Sequence, residues 1–210
     1  MIVEDLSFPD PKANLDYDDA LLARADRHDG GACLRFWEAP DYFVVLGRTC
    51  REVDDVQGAQ CRMDGIPVLR RSSGGGTVIQ GPGCLNVSLV LPKVFHADII
   101  SIPGSYVFIL DKMILALKEL GVSAEFRPVC DLVLAGTEKK FSGNAQRRGR
   151  KFVLHHGTIL YDFAIPLVSK YLKIPPKMPA YRNARPHETF ITNIHVDPQA
   201  LKQALIRQWS

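Results

Sequence analysis

The sequence RRSSGGGT, at residues 70–77, follows an apolar run and contains three consecutive glycines. Glycines in series let the backbone turn with positive φ and approach a ligand closely, and the flanking Arg70 and Arg71 can hold a phosphate or a carboxylate together with exposed backbone N–H groups. A hairpin turn beside surface arginines has the same composition. The residues alone therefore leave two interpretations open, an anion-binding loop and a plain turn.

The common nucleotide-binding signatures are absent from the sequence. Neither GxxxxGK[ST] nor GxGxxG occurs, and these two patterns mark the P-loop and the Rossmann phosphate sites. An ATP site in this chain, if the glycine-rich stretch forms one, therefore belongs to another type.

A second segment with chemical character, KKFSGNAQ, occupies residues 139–146. It places Lys140 on a strand edge beside Ser142 and Gly143, where a cation and small hydrogen-bonding groups suit an acyl carbonyl or a phosphate oxygen. A single lysine is more often a solvated charge. His155 and His156 follow shortly, and because neighbouring strand residues point to opposite faces, at most one of them faces a given site. We expect the other to be structural.

Apolar periodicity and capping residues predict three helices. The first has Asn14 as its N-cap and the Gly30-Gly31 pair as its stop, the second spans about 104–120, and the third opens at the Asp197-Pro198 pair. The proline-rich segment 174–193 is interpreted as an irregular surface excursion.

Strand signals lie between these helices. Apolar residues alternate along 85–91 with Asn86 and Ser88, so one face of this strand is core and the other meets something polar. The hairpin-like spacing of the strands favours an α+β domain with a largely antiparallel or mixed sheet over a doubly wound one. The other predicted strands are 32–38, 42–47, 66–70, 131–134 and 152–161.

Composition excludes several classes of protein. The 210 residues are 46% hydrophobic and 23% charged, which suits one domain that buries its own core, and the net charge of +3 is too small to indicate nucleic acid as a partner. No apolar stretch approaches the ~18 residues that span a bilayer, and the N-terminus is acidic, so we expect a soluble, cytoplasmic protein. The five cysteines lack metal-ligand spacing, so we expect reduced thiols and no metal site.

Taken together, the motifs are specific. RRSSGGGT is followed by GxLN, by DLVL before KFSGNAQ, and by HHGTIL, with LRFW and VVLGR upstream. Over about residues 14–195 the chain resembles the lipoate–protein ligase A family of the biotin/lipoyl ligase superfamily. The resemblance implies a central mixed, largely antiparallel sheet flanked by helices, with an acyl-adenylate in a curved pocket. It also implies that residues 1–210 form a single catalytic domain without a C-terminal accessory domain.

The resemblance implies the chemistry as well. In that family lipoate or octanoate reacts with ATP, with Mg²⁺, to form acyl-AMP, and a lysine of a lipoyl domain then takes the acyl group. Lys140 would hold the carbonyl and phosphate oxygens, and Asp131 would assist at the phosphates or orient the incoming lysine. The residues that would bind substrate or adenylate are Arg71, Ser73, Gly75, Gly76, Thr77, Asn86, Ser142, Gly143, His156, Gly157 and Thr158.

Three positions depart from the family pattern. Gln80 stands where the family commonly has His, and Cys84 and Cys130 stand where it commonly has Asn. The alternative function is therefore an ATP-independent transferase that moves octanoyl or lipoyl groups between carrier proteins through a cysteine thioester. Cys130 is the candidate nucleophile, although the charge of Asp131 works against a thiolate. A non-catalytic acyl-carrier-binding module is a third interpretation, disfavoured by the presence of Lys140.

The chemistry also predicts partners. We expect an acidic lipoyl domain of a 2-oxoacid dehydrogenase or the glycine-cleavage H protein as acceptor, and a separate accessory subunit where activation requires one. The basic stretch 147–151 and the pair Arg182 and Arg185 suit such an acidic surface, or are a solvated loop. Neither nucleic acid nor a membrane is an expected partner.

Overall fold

The computed structural model describes residues 1–28 and 30–209. Within these residues, ten strands form two sheets, of seven and three strands. The six strands that the sequence predicted are observed within two residues of their predicted bounds, whereas β1, β5, β7 and β9 were given no predicted bounds. In chain order the strands are β1 Ile2–Asp5, β2 Cys33–Trp37, β3 Phe43–Leu46, β4 Val68–Arg70, β5 Val78–Gln80, β6 Cys84–Pro92, β7 Ala124–Arg127, β8 Asp131–Leu134, β9 Lys139–Arg148 and β10 Phe152–Leu160.

The larger sheet has the order β1-β2-β6-β10-β9-β8-β7. Its edge strand β1 is parallel to β2, and all other neighbouring strands of this sheet are antiparallel. The smaller sheet has the order β4-β3-β5, with β3 parallel to β4 and antiparallel to β5. The predicted α+β fold with a mixed, largely antiparallel sheet is confirmed.

Helices flank the larger sheet. The described residues contain α1 Pro11–His28, α2 Glu52–Asp55, α3 Gly58–Met63, α4 Ile102–Glu119, α5 Pro166–Tyr171, α6 His187–Phe190 and α7 Pro198–Trp209, with 3₁₀ turns at Ala97–Ile100 and Ala180–Arg182. Within residues 1–28 and 30–209, no helix is long and apolar enough to cross a lipid bilayer.

One face of the larger sheet packs against α4 and α7. The apolar alternation of β6 points to this face, where Leu85, Val87, Leu89 and Leu91 lie in the main core beside residues of both helices. The alternation that the sequence predicted is therefore confirmed, and Asn86 and Ser88 point to the opposite face.

The opposite face is covered in part by α1, whose start the sequence predicted incorrectly. Asn14 is not the N-cap but lies one turn inside the helix, where its fully buried amide accepts from Phe8 N at 3.0 Å and donates to Phe8 O at 2.7 Å. Asp10 takes the capping role, with Oδ1 accepting from Lys12 N at 2.9 Å. The amide of Asn14 instead fixes the chain that leads into the helix.

Candidate functional site

A row of side chains crosses the face of the larger sheet that α1 leaves uncovered. The strand registers place Trp37 beside Asn86, Asn86 beside Thr158, Thr158 beside Gly143 and Gly143 beside Asp131. This row is the floor of a cavity of about 640 Å³. The walls are the glycine-rich loop, strand β5 and parts of the segment 173–191.

The glycine-rich loop folds around the guanidinium of Arg71. Its Nη2 donates to the carbonyls of Gly74 at 2.6 Å and Gly76 at 2.8 Å, and its Nε donates to Ser73 Oγ at 3.0 Å. Gly75 between them has φ +86°, and a Cβ there would meet Arg71 Nη2 at 2.9 Å. The turn therefore needs a glycine at Gly75, and Arg71 organises the loop in addition to lining the cavity.

Thr77 and Ser73 reach beyond the loop. Thr77 lines the cavity and donates to Asp55 Oδ2 at 2.5 Å. Ser73, in contrast, is 1% exposed and lies behind the cavity wall, with Oγ 2.5 Å from His156 Nε2. Ser73 therefore contacts the cavity-lining His156, and its own role in ligand binding stays a prediction.

His156 belongs to a buried polar line that the sequence did not reveal. Its Nδ1 lies 3.8 Å from Asp18 Oδ2, which accepts from Ser88 Oγ at 2.6 Å, and Asp18 Oδ1 accepts from Arg35 at 2.7 Å. Asp18 and Arg35 are 2% and 0% exposed, so this ion pair is screened little by water. The pair fixes the floor of the cavity beneath His156.

His155 and His156 point to opposite faces of the sheet, as predicted. His155 is buried on the helix-covered face, with Nε2 3.1 Å from Asn144 Oδ1, Nδ1 3.2 Å from the Gln146 amide and an edge contact to Tyr106. Burial lowers the pKa of His155 to about 3, so the ring is neutral. His156 lines the cavity on the other face.

Lys140 reaches the cavity because of a local irregularity in β9. Opposite β8 the pairing steps from Leu132–Ser142 to Val133–Lys140, so that Phe141 is left unpaired. Such an extra residue reverses the direction of the side chains that follow it. Phe141 therefore enters the main core and Lys140 lines the cavity.

Asp131 lies against Lys140 at the end of the row. Its Oδ1 is 2.7 Å from Lys140 Nζ and its Oδ2 accepts from Tyr181 at 2.6 Å. A Cβ at Gly143 would meet Lys140 Nζ at 2.9 Å, so this glycine makes room for the ammonium group. Burial, followed by the charge of Asp131, raises the pKa of Tyr181, which stays a hydrogen-bond donor.

The proline-rich segment is irregular and partly exposed, as predicted, and it also forms a wall of the cavity. Thr192 N donates to Lys140 O at 2.9 Å, which joins the segment to β9. Arg182 is 4% exposed, lines the cavity and has its guanidinium carbon 4.7 Å from the ring centroid of Phe190. The sequence could have indicated this role only through the aromatic residues that accompany the prolines.

The expected basic docking surface is turned inward only in part. Arg148 Nη2 donates to Ile99 O at 2.5 Å, Arg147 Nη1 lies 2.9 Å from Asp19, and Arg185 Nη2 donates to Tyr181 O at 2.9 Å. Arg182 is buried as well, whereas Arg147, Arg150 and Lys151 are exposed, so a docking role for the stretch 147–151 stays a prediction.

The cysteines are free thiols in the structure. Cys84 is fully buried, and burial raises the pKa of its thiol. Cys130 lines the cavity, and burial followed by the charge of Asp131 raises the pKa of its thiol, which disfavours the thiolate that a nucleophile needs. Its backbone carbonyl accepts from Asn144 Nδ2 at 2.9 Å.

Most of the predicted site residues meet in this one cavity. The predicted residues that line it are Arg71, Gly75, Gly76, Thr77, Asn86, Cys130, Asp131, Lys140, Ser142, Gly143, His156, Gly157 and Thr158. Among residues 1–28 and 30–209, the structure contains no group of three His, Cys, Asp or Glu side chains that could hold a metal ion by itself.

The sequence of this chain matches the Lipoyl protein ligase A/B catalytic domain over residues 10–209. The chain belongs to this family. The curated relatives named lipoate-protein ligase are longer, and the chain spans between 34% and 53% of their lengths. Lipoate-protein ligase LplJ of Bacillus subtilis is 28% identical over 177 residues, which are 83% of this chain and 50% of that protein.

Solved structures agree with the family assignment. The chain resembles a bi-partite lipoate protein ligase from Thermoplasma acidophilum, studied with its E2 lipoyl domain, with a TM-score of 0.86 and 25% identity over 100% of this chain and 82% of that one. It resembles a lipoate-protein ligase A bound with ATP, with a TM-score of 0.82 and 26% identity over 100% and 83% of the chains. A biotin protein ligase from Leishmania major, 13% identical with a TM-score of 0.57, covers 98% of this chain and 71% of its own, and shares the fold.

Proposed function

We propose that this lipoate–protein ligase family enzyme activates lipoate or octanoate with ATP and transfers the acyl group to a lysine of a lipoyl domain or H protein. The observation that carries the proposal is a single cavity with a cationic end at Lys140 and an apolar end at Trp37. An acyl-adenylate has matching parts, because its mixed anhydride is polar and its acyl chain is hydrocarbon. The ATP-bound and lipoyl-domain-associated relatives support the same reaction.

The first half-reaction forms the anhydride. A carboxylate oxygen of the acid attacks the α-phosphorus of ATP, the bond to the β-phosphate oxygen breaks, and pyrophosphate leaves. Lys140 supplies positive charge where the phosphate oxygens gather negative charge. Arg71 keeps the glycine-rich loop in the shape that brings its backbone to the adenylate, since its guanidinium ties the carbonyls of Gly74 and Gly76.

The second half-reaction forms the amide. The neutral amine of the acceptor lysine attacks the acyl carbon, AMP leaves with the former anhydride oxygen, and the amine gives up a proton. Asp131 is the carboxylate beside this end of the cavity, 2.7 Å from Lys140 and hydrogen-bonded to Tyr181. We assign Asp131 the orientation of the incoming lysine amine.

Mg²⁺ fits this site as a companion of ATP. Magnesium is usually held by one or two carboxylates together with substrate phosphates and water, so it needs no cage of protein ligands. Asp131 is the carboxylate that would complete its ligands beside the phosphates, and the ion would supply neutralisation of the phosphate charge.

The acceptor and an accessory protein are the proposed partners. The bi-partite archaeal ligase was studied with its E2 lipoyl domain, which supports a lipoyl domain as acceptor and a separate polypeptide as a functional companion of this catalytic domain. Val129, 71% exposed, and Met178, 38% exposed, lie at the cavity and provide apolar contact for an acceptor loop.

A direct assay tests the proposal. The purified chain is incubated with ATP, Mg²⁺ and lipoate, and acyl-AMP is measured by mass spectrometry, with and without the accessory protein encoded in the same organism. A second reaction supplies preformed lipoyl-AMP and an acceptor lipoyl domain. Acyl transfer in the second reaction is the expected result, and failure of the folded protein to bind or use lipoyl-AMP would overturn the proposal.

A further inference from the structure

Arg182, in the wall formed by the segment 173–191, is a buried cation without a negative partner. The residue is 4% exposed and lines the cavity. In the part of the chain that the structure describes, its guanidinium forms no ion pair with a carboxylate; its Nε donates to Arg185 O at 3.0 Å, and it lies over the ring of Phe190. A buried charge is costly unless it is paired. An uncompensated guanidinium in a cavity wall therefore indicates that an anionic ligand supplies the missing charge.

The neighbouring His187 does not supply that charge. Arg182 Nη2 is 3.3 Å from His187 Nδ1, and His187 Nε2 is 3.2 Å from Lys173 O. Burial, followed by the charges of Arg182 and Lys140, lowers the pKa of His187, so its ring is neutral, with Nε2 donating to the carbonyl and Nδ1 accepting from Arg182. Burial lowers the pKa of Arg182 as well, as expected for a cation without a counter-charge.

Arg185, in the same segment, differs from Arg182 in both respects. Its Nη2 lies 3.9 Å from Glu138 Oε2, and its side chain does not line the cavity. Its Nε donates to Arg182 O at 3.0 Å and its Nη2 donates to Tyr181 O at 2.9 Å. Arg185 therefore fixes the turn, and Arg182 is the arginine that this turn presents to the cavity.

The turn places Arg182 at the cationic end of the cavity. Tyr181, the preceding residue, donates to Asp131 Oδ2 at 2.6 Å, and Asp131 Oδ1 lies 2.7 Å from Lys140 Nζ. Asp131 ends the row of side chains that crosses the sheet from the apolar end. Arg182 thus adds a second cation near Lys140, on the side of the cavity away from Trp37.

The stereochemistry of the first half-reaction indicates which phosphates Arg182 meets. In a displacement at phosphorus, the attacking and leaving oxygens lie roughly in line. The acyl chain lies toward the apolar end, so its carboxylate approaches the α-phosphorus from that side, and the bond to the β-phosphate oxygen breaks on the far side. Pyrophosphate therefore leaves toward the segment 173–191, where Arg182 and the exposed Lys177 line the cavity.

We infer that Arg182 binds the β- and γ-phosphates of ATP and stabilises the departing pyrophosphate, so that it acts in acyl-AMP formation and not in acyl transfer. The inference rests on the proposed function, because it takes ATP as the substrate. As the bond to the β-phosphate oxygen breaks, its electron pair stays on that oxygen, and the guanidinium offsets the charge that grows there with a planar set of donors that matches phosphate oxygens. Acyl-AMP has no β-phosphate, so it does not use this interaction.

The test measures the two half-reactions separately in the wild type and in Arg182→Gln, which keeps an amide donor and removes the charge. Acyl-AMP formation is measured with ATP, Mg²⁺ and lipoate, and with the accessory protein where activation requires it. We expect its kcat/KM to fall by roughly 100-fold, the effect of losing one preorganised electrostatic donor. Single-turnover transfer from preformed lipoyl-AMP to a lipoyl domain should proceed at the wild-type rate.

Binding gives a readout that does not depend on activation. Calorimetry measures the Kd of inorganic pyrophosphate with Mg²⁺ and, in a separate titration, the Kd of lipoyl-AMP. Arg182→Gln should raise the Kd of pyrophosphate by about tenfold or more, the effect of a charge-assisted hydrogen bond, and should leave the Kd of lipoyl-AMP unchanged. A purely structural arginine would affect both ligands.

Controls separate phosphate binding from folding. Arg207→Gln removes a surface arginine that pairs with Glu119 outside the cavity, and it should behave as the wild type in every assay. Arg182→Lys keeps the charge without the planar set of donors, so its affinity for pyrophosphate should lie between those of the wild type and Arg182→Gln. Thermal unfolding establishes that each variant is folded, and Arg182→Lys carries the comparison with the wild type where Arg182→Gln does not fold.

Two failures are distinguishable. If the wild type uses lipoyl-AMP but the Arg182 variants bind pyrophosphate as the wild type does, or lose lipoyl-AMP binding and transfer to the same extent as pyrophosphate binding, the inference is overturned and the proposed function stands. Absence of pyrophosphate binding by a wild type that uses lipoyl-AMP overturns it too. If the wild type neither binds nor uses lipoyl-AMP, the proposed function fails and this inference fails with it.

Discussion

Lys140 Nζ lies 2.7 Å from Asp131 Oδ1, over a glycine whose Cβ would meet the same ammonium group at 2.9 Å. The other oxygen of Asp131 accepts from Tyr181 at 2.6 Å. Lys140 is thus positioned by strand β9 and by its ion pair with Asp131, and Gly143 leaves room for its ammonium group. A cation fixed in this way needs little reorganisation when charge develops on a substrate.

Lys140→Ala should reduce acyl transfer from lipoyl-AMP by roughly 100-fold or more, because one preorganised electrostatic donor is lost. Single-turnover transfer to an acceptor domain measures the effect, and circular dichroism should show an unchanged fold. The exposed neighbour Lys139 provides the matched control, and Lys139→Ala should transfer at the wild-type rate. Near-normal transfer by Lys140→Ala would remove the assignment of Lys140.

Gly75→Val should abolish binding of the acyl-adenylate. A side chain at φ +86° is strained, and its Cβ would meet Arg71 Nη2 at 2.9 Å, so the loop cannot keep its shape around the guanidinium. Calorimetry with lipoyl-AMP is the measurement. Gly74→Ala is the control, since a Cβ there has no heavy atom within 4 Å; unchanged binding by folded Gly75→Val would show that the loop is only a turn.

His155 should make the folded state sensitive to acid. Its pKa is about 3 in the fold and about 6.5 in an unfolded chain, so the unfolded chain binds a proton that the folded chain does not as the pH falls below 6.5. Stability is therefore complete above 6.5 and is lost as the pH falls toward 3, by at most about 1.4 kcal/mol per pH unit from this group. Urea unfolding at several pH values measures the slope.

The comparison uses two histidine variants. His155→Gln keeps a donor for Asn144 but cannot titrate, so its free energy of unfolding should depend less steeply on pH between 6.5 and 4. His195, whose side chain is 73% exposed, gives the control, and His195→Asn should retain the wild-type slope. Equal slopes for wild type and His155→Gln would contradict the neutral, buried state of His155.

Local patterns predicted most of the fold and most of the site. The alternation of 85–91 identified both the core face and the polar face of β6, because side-chain direction in a strand depends only on a period of two. The residue types at 70–77 and 139–146 indicated candidate site residues, and most of them line the one cavity. The start of α1 was predicted incorrectly. Asn14 is a residue type that often caps a helix, and the sequence does not show that its amide is instead buried and bonded to Phe8.

Long-range relationships could not be predicted from the residues alone. The unpaired Phe141 that turns Lys140 into the cavity is a matter of the register between β8 and β9. The inward direction of Arg71 depends on how its own loop folds to present the Gly74 carbonyl, and that of Arg182 depends on where its segment places the ring of Phe190. Tyr181 was missed because it lies in a proline-rich segment whose path over the cavity is set by tertiary contacts.

Cys130 distinguishes the ligase from the thioester-forming transferase. A ligase passes the acyl group from the adenylate directly to the acceptor lysine, so Cys130→Ser should retain most of the transfer activity with preformed lipoyl-AMP. A transferase needs the thiolate, which serine cannot replace at neutral pH, and would lose both turnover and the covalent intermediate. Transfer assays of the wild type and of Cys130→Ser measure the difference, with Cys50→Ser as a control at another partly buried thiol.

Mass spectrometry decides the same question without a variant. The wild-type chain is incubated with octanoyl-carrier protein in the absence of ATP, and an octanoyl mass on Cys130 is sought. Because burial and the charge of Asp131 raise the pKa of the Cys130 thiol, the thiolate is scarce at neutral pH, and we expect no adduct together with ATP-dependent labelling of a lipoyl domain. An octanoyl thioester on Cys130 that is consumed when acceptor domain is added would replace the ligase with the transferase.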